Sequence, residues 1–170
     1  MSDLPGFVRT LDVVPDFYIV ISKDPYSWLI SYRNWAQTCN WPKVEHHYIL
    51  EYNLFHAKWL ELARHTDRIV FVRYVDLLRN ARAELGRLEL SMGLHRRLVG
   101  RFLGNSVGKV TLSERFNRQR SAYYTEEQYL ERYTDAELNE VNGLLDPVVL
   151  AGLGYQKRSP RKNSAAPVVR

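Results

Sequence analysis

The stretch Phe17 to Trp35 constrains the fold more than any other part of the chain. Phe17-Tyr18-Ile19-Val20-Ile21 is apolar, aromatic and β-branched, the composition of a buried strand in a parallel sheet. Ser22-Lys23-Asp24-Pro25 breaks the run. Asp24 suits an N-cap and Pro25 the first helical position, so a helix is predicted to start there. A strand feeding a helix start presents backbone N–H groups and a positive dipole end, an arrangement that attracts anions. Lys23 adds a full charge at that mouth. On the helix, Ser27 and Ser31 share a face with Asp24, while Trp28, Tyr32 and Trp35 form a separate aromatic stripe.

Bulk properties narrow the setting. A chain of 170 residues fits one domain, and a hydrophobic fraction of 45% supports an ordinary core. The formal net charge is +5, and Lys157, Arg158, Arg161, Lys162 and Arg170 place much of it near the end. Residues 156–170 therefore read as a disordered basic tail, and residues 1–16 as a connector. Without its tail the chain is close to neutral, which favours a discrete anionic ligand over a polyanion. A single cysteine, Cys39, excludes an internal disulfide, fits a reducing compartment and reads as a small buried hydrophobe. The sequence shows neither a leader nor an apolar run of the ~20 residues a membrane span needs, so a soluble, cytoplasmic protein is expected.

Further along, a long helix is predicted over 44–64, with an apolar face of Tyr48, Tyr52, Phe55, Trp59 and Leu62. His46, His47 and His56 lack metal-ligand spacing and read as surface or core-edge residues. Arg68 to Tyr74, RIVFVRY, is the second strand, joined to the first by a right-handed parallel crossover. Asp76-Leu77-Leu78 opens a turn or short helix; Asn80 caps the next helix, which Gly93 ends. Gly100 to Thr111 imitates a phosphate loop, but three residues rather than four separate Gly104 from Gly108, and Val110 follows Lys109. Residues 114–133 interleave Arg115, Arg118 and Arg120 with Tyr123, Tyr124, Tyr129 and Tyr133. Such a pattern suits single-stranded nucleic acid, or a helix laid over the sheet; the second is favoured. Thr134 to Glu137 is a capping box, and Asp146-Pro147 opens a last short helix.

Lys23-Asp24-Pro25-Tyr26, with Ser31 eight residues after Lys23, resembles the 3′-phosphate motif of sulfotransferases that use 3′-phosphoadenosine 5′-phosphosulfate. In that family an Arg and a Ser at this spacing grip the 3′-phosphate; here Lys stands for Arg and lacks its bidentate fork. Arg73-Tyr74-Val75-Asp76-Leu77 is similar to the family's Arg-Tyr-Glu-Asp-Leu, whose Tyr lies by the adenine, and Val75 replaces the acid. Leu103 to Lys109 is similar to a glycine-containing loop that wraps the 3′-phosphate, Gly108 permitting close backbone approach and Lys109 supplying charge. The phrase from Tyr133 to Tyr155 resembles the last helices of bacterial-type members. The resemblance implies an α/β fold, a partial P-loop-type parallel sheet flanked by helices, over residues 17–155. It also implies a sulfuryl-transfer activity toward a hydroxyl or amine on a small-molecule or carbohydrate acceptor. The cofactor-binding residues it implies are Lys23, Ser31, Tyr74, Gly108 and Lys109.

The family's 5′-phosphosulfate loop and its usual base precede the 3′-phosphate motif, and neither is found before Phe17. Two parallel strands are also marginal alone. The chain therefore reads as the carboxyl-terminal part of such a domain, with its activity in isolation open. A non-catalytic nucleotide- or phosphate-binding module and a basic–aromatic nucleic-acid module are the alternatives; nucleic acid, membrane and metal are not expected partners.

Overall fold

The computed structural model describes residues 15–94 and 118–159, with backbone alone for 118–120. Among these, the order is β1 (Tyr18–Ser22), α1 (Pro25–Thr38), α2 (Ile49–Ala63), β2 (Ile69–Arg73), α3 (Tyr74–Ser91), α4 (Arg118–Thr125), a 3-10 turn (Gln128–Arg132), α5 (Asp135–Leu144) and α6 (Pro147–Leu153). The chain is helix-rich α/β, with one two-stranded parallel sheet.

The strands pair in parallel with Tyr18 opposite Ile69 and Ser22 opposite Arg73. Side chains alternate across a strand, so Val20 and Phe71 face one side while Ile21 and Val72 face the other. On the second side Val70 and Val72 pack with Leu88 of α3. That helix covers β2 and leaves its neighbour open: Ile19 is 49% and Ile21 57% exposed. The expectation of strands buried on both faces holds for β2 and fails for β1.

The main core lies on the other side, built by Tyr26 and Leu29 of α1, Ile49 and Tyr52 of α2, and Leu138, Val141, Val149, Leu150 and Leu153 of α5 and α6. Two predicted features of α2 shift. It starts at Ile49 rather than Val44, and His47 Nδ1 accepts the Ile49 N–H (3.2 Å) at that start. Its buried stripe is Ile49, Tyr52 and His56, so Phe55, which sequence spacing placed on the core face, is 52% exposed. The stripe is rotated by about one residue because α2 packs against α6, where Leu60 abuts Gly152.

Local signals hold elsewhere. Asn80 leaves helical geometry (φ −155°, ψ 80°) and its Oδ1 accepts the Ala83 N–H (3.1 Å), so α3 is two helices joined at a kink. Thr134 and Glu137 form the reciprocal capping box. Cys39 is exposed, not buried, because it lies just past the end of α1. Residues 155–159 are not a loose tail: Tyr155 is buried, its hydroxyl donating to the Ser22 carbonyl (3.2 Å), and the Arg158 N–H donates to the Tyr26 hydroxyl (2.9 Å).

Replacing Thr134 with Ala removes an N-cap acceptor and should cost about 1 kcal/mol. The expected readout is a lower thermal midpoint, largely restored by Thr134→Ser; an unchanged midpoint would show that α5 does not depend on its cap.

Candidate functional site

The end of β1 and the start of α1 bring Lys23 to the mouth of a cleft of about 200 Å³. Arg73, Tyr74 and Arg79 line it from β2 and α3, Tyr124 from α4, and Arg158 from the last described segment. The backbone of Lys23 is fixed from below, where the Tyr52 hydroxyl donates to its carbonyl (2.9 Å).

The ammonium of Lys23 donates to Ser31 Oγ at 2.6 Å, and Ser31 in turn donates to the Ser27 carbonyl at 3.0 Å. The two residues that sequence spacing paired are therefore joined. Ser31 stands behind Lys23 and does not line the cleft, so it acts through the ammonium. The Lys23 ammonium also reaches the Tyr124 hydroxyl (3.4 Å) and lies 4.5 Å from the centre of that ring and 5.8 Å from that of Tyr74. An ammonium near aromatic faces is held by their electron-rich surfaces. Tyr74 and Tyr124 meet edge to face, centroids 5.3 Å apart at 88°. They form a corner in which a planar group can lie beside a cation.

One expectation is overturned. The start of α1 does not offer open N–H groups, because Asp24 Oδ1 accepts from Tyr26 N (3.1 Å) and Ser27 N (3.4 Å). Anion binding at this corner must come from side chains. Asp24 is 8% exposed. Its pKa is raised: burial penalises the carboxylate most, and Arg158 and the two N–H groups oppose that only in part. Arg158 pairs with Asp24 at 3.4 Å and also with Glu127.

Of the other predicted site residues, Tyr74 lines the cleft, but as the first residue of α3 and not as a strand residue. Gly108 and Lys109 lie outside the described residues, as does the loop that carries them. Sequence reading missed Arg73, Arg79, Tyr124 and Arg158. Arg73 was visible inside the Arg73-Tyr74 motif. Arg158 was hidden in what looked like a solvated basic tail.

Of the nucleic-acid reading of residues 114–133, Arg115 and the side chains of Arg118 and Arg120 lie outside the described residues, and two of its four tyrosines are engaged in the fold. Tyr129 is 2% exposed, and the Tyr133 hydroxyl is spent on the Tyr26 carbonyl (2.7 Å). Of the histidines, His46 contacts Glu51 at 2.8 Å, His47 caps α2, and His56 is 3% exposed in the core, deeper than its sequence suggested. Burial lowers the pKa of His47 and of His56. Among the described residues no cluster of His, Cys, Asp and Glu could hold a metal ion, and no helix is long and apolar enough to cross a membrane.

Comparison with family models, with curated proteins and with solved structures finds no match to this chain.

The raised pKa of Asp24 has a definite sign. The folded state holds the carboxyl proton more tightly than the unfolded state, so the stability this group contributes is greatest below its unfolded pKa, near 4. It is lost as pH rises through the higher folded value. Asn at this position keeps a capping oxygen and does not ionise. The urea midpoint of Asp24→Asn, relative to the unmutated chain, should therefore rise between pH 4 and pH 7. A constant difference would mean that Arg158 and the two N–H groups balance burial, and an opposite one that they outweigh it.

Proposed function

We propose that the cleft binds the 3′-phosphoadenosine portion of 3′-phosphoadenosine 5′-phosphosulfate, and that the chain carries the nucleotide-gripping part of a P-loop-type, sulfotransferase-like fold. The observation that carries this reading is the 2.6 Å contact between Lys23, which lines the cleft, and Ser31 behind it, eight residues on. A strand-end cation and a helical hydroxyl at that spacing are what the resemblance requires for the 3′-phosphate.

The surrounding chemistry supports the same ligand. The Lys23 ammonium carries three N–H donors. One is on Ser31 and another is directed toward Tyr124, and a phosphate oxygen competes well for such donors because charge-assisted bonds are the stronger ones. Ser31, behind the ammonium, contributes by holding Lys23 in place through the 2.6 Å contact. Tyr74 and Tyr124 offer a ring edge and a ring face for a purine. Arg73 and Arg79 are held near Asp76, at 2.7 Å and 4.0 Å, and add positive potential on the opposite wall.

Sulfuryl transfer breaks the S–O bond to the nucleotide and forms a new one to the acceptor hydroxyl, or an S–N bond to an amine. Its catalysis is mainly positioning and stabilisation of charge on the leaving phosphate. The residues above hold the nucleotide; none of them is assigned the acceptor's proton or the leaving-group charge.

The test is thermal denaturation with 3′-phosphoadenosine 5′-phosphate. Ligand at 100 times its Kd adds about 2.7 kcal/mol to folding and so raises the midpoint by several degrees. Lys23→Ala should remove the rise, Ser31→Ala should reduce it, and adenosine 5′-monophosphate, which lacks the 3′-phosphate, should produce little. Absence of any shift at millimolar nucleotide would sink the reading.

A further inference from the structure

Arg158 lines the nucleotide cleft on a backbone that is fixed on both sides of its side chain. Its N–H donates to the Tyr26 hydroxyl (2.9 Å), and its carbonyl accepts from Asn142 Nδ2 (2.8 Å). Two acids hold the guanidinium, and both contact the same nitrogen, Nη2: Asp24 Oδ2 at 3.4 Å, and Glu127 Oε1. Nε is buried and makes no hydrogen bond. A guanidinium is a planar fork that suits two oxygens of one anion. Here the edge formed by Nε and Nη2 is used on one nitrogen only.

The two acids differ in what else they do. The Asp24 side chain is nearly buried, and its other oxygen caps α1. The Glu127 side chain is 35% exposed and lines the cleft beside Arg158. It stands at the start of the 3-10 turn yet makes no side-chain cap bond there. Its backbone is left-handed (φ 58°, ψ 28°), a conformation that suits glycine and disfavours glutamate. Strain of this kind gathers where a site requires it. Here the residue that bears it sets a carboxylate on a cation of the cleft. Glu127 is also joined to the Lys23 corner, because its N–H donates to the carbonyl of Tyr124 (3.4 Å), whose ring flanks the ammonium.

We propose that Arg158 is a further ligand contact in this cleft, occupied by the carboxylate of Glu127 until a phosphate oxygen displaces it. A phosphate fits because it presents two oxygens to the half-used edge of the guanidinium. Asp24 stays in place as the cap, and Glu127, the more exposed acid, gives way. The exchange makes Glu127 a selectivity filter, since compounds that cannot outcompete a carboxylate leave Arg158 closed. That the phosphate belongs to a nucleotide rests on the reading above; the exchange itself does not.

The test is calorimetric titration of the full chain with 3′-phosphoadenosine 5′-phosphate and, separately, with inorganic pyrophosphate. Glu127→Gln should bind each probe several-fold tighter. Glu127→Gly, which suits φ 58°, should repeat the gain and covers the case that the Gln variant folds poorly. Glu126→Gln removes the same charge one residue away, from a carboxylate that contacts Gln128 (3.1 Å), and should change far less. In the unmutated chain the Arg158 Nε resonance should move saturably with either probe. Equal affinities with and without the Glu127 carboxylate, an equal gain in Glu126→Gln, or a silent Nε resonance would overturn the proposal, even where the nucleotide binds in a Lys23-dependent way. A gain with pyrophosphate in a chain that ignores the nucleotide would uphold the exchange and remove the nucleotide reading. No binding of either probe to any of these chains at roughly 10 mM would overturn both.

Discussion

The structure turns on the buried carboxylate of Asp24. It ends one element and begins the next, since its oxygen closes the first turn of α1 directly after β1. It also draws in Arg158 from the far end of the described chain. A lone buried carboxylate would be expensive to keep. Here two backbone N–H groups and a guanidinium offset part of the cost, and what remains appears as a raised pKa. Lys23 owes its position to this arrangement, because the residue before a fixed cap has little freedom in where it points.

Around that anchor the molecule separates two chemistries on either side of one lysine. One cavity has arginines, tyrosines and a charged strap; the other has stacked rings and one unsatisfied imidazole nitrogen. α1 makes the separation possible. On its serine face Ser31 holds the ammonium, while its aromatic stripe, Trp28 and Tyr32, walls the second cavity. The alternation of those residue types along a single helix decides which cavity each side chain serves.

Much of this was legible from local signals. Strand-then-cap at Asp24-Pro25, the break at Asn80 and the capping box at Thr134 are short-range effects, set by residues a turn apart, and each stands where the sequence placed it. The Lys23–Ser31 pairing followed from a spacing with a known use. What escaped were features set by distant partners. Nothing in the run from Tyr48 to Leu62 says which flank meets Gly152, so Phe55 and His56 exchanged expected environments. Arg158 sits in a sequence of tail-like composition, and only Asp24 and Glu127, distant in sequence, give it a place. The predicted cap at Asp24 itself takes up the first helix N–H groups and so removes them as anion donors.

The open flank of β1 has a practical consequence. Among the described residues the strand pairs with β2 alone, and Ile19 and Ile21 stand half uncovered beside an unpaired edge. Such an edge is a template for another chain's backbone, with no lysine or proline inside the strand to discourage the match. The expected consequence is association of concentrated samples, read as light scattering, which a charged side chain at position 19 or 21 should reduce.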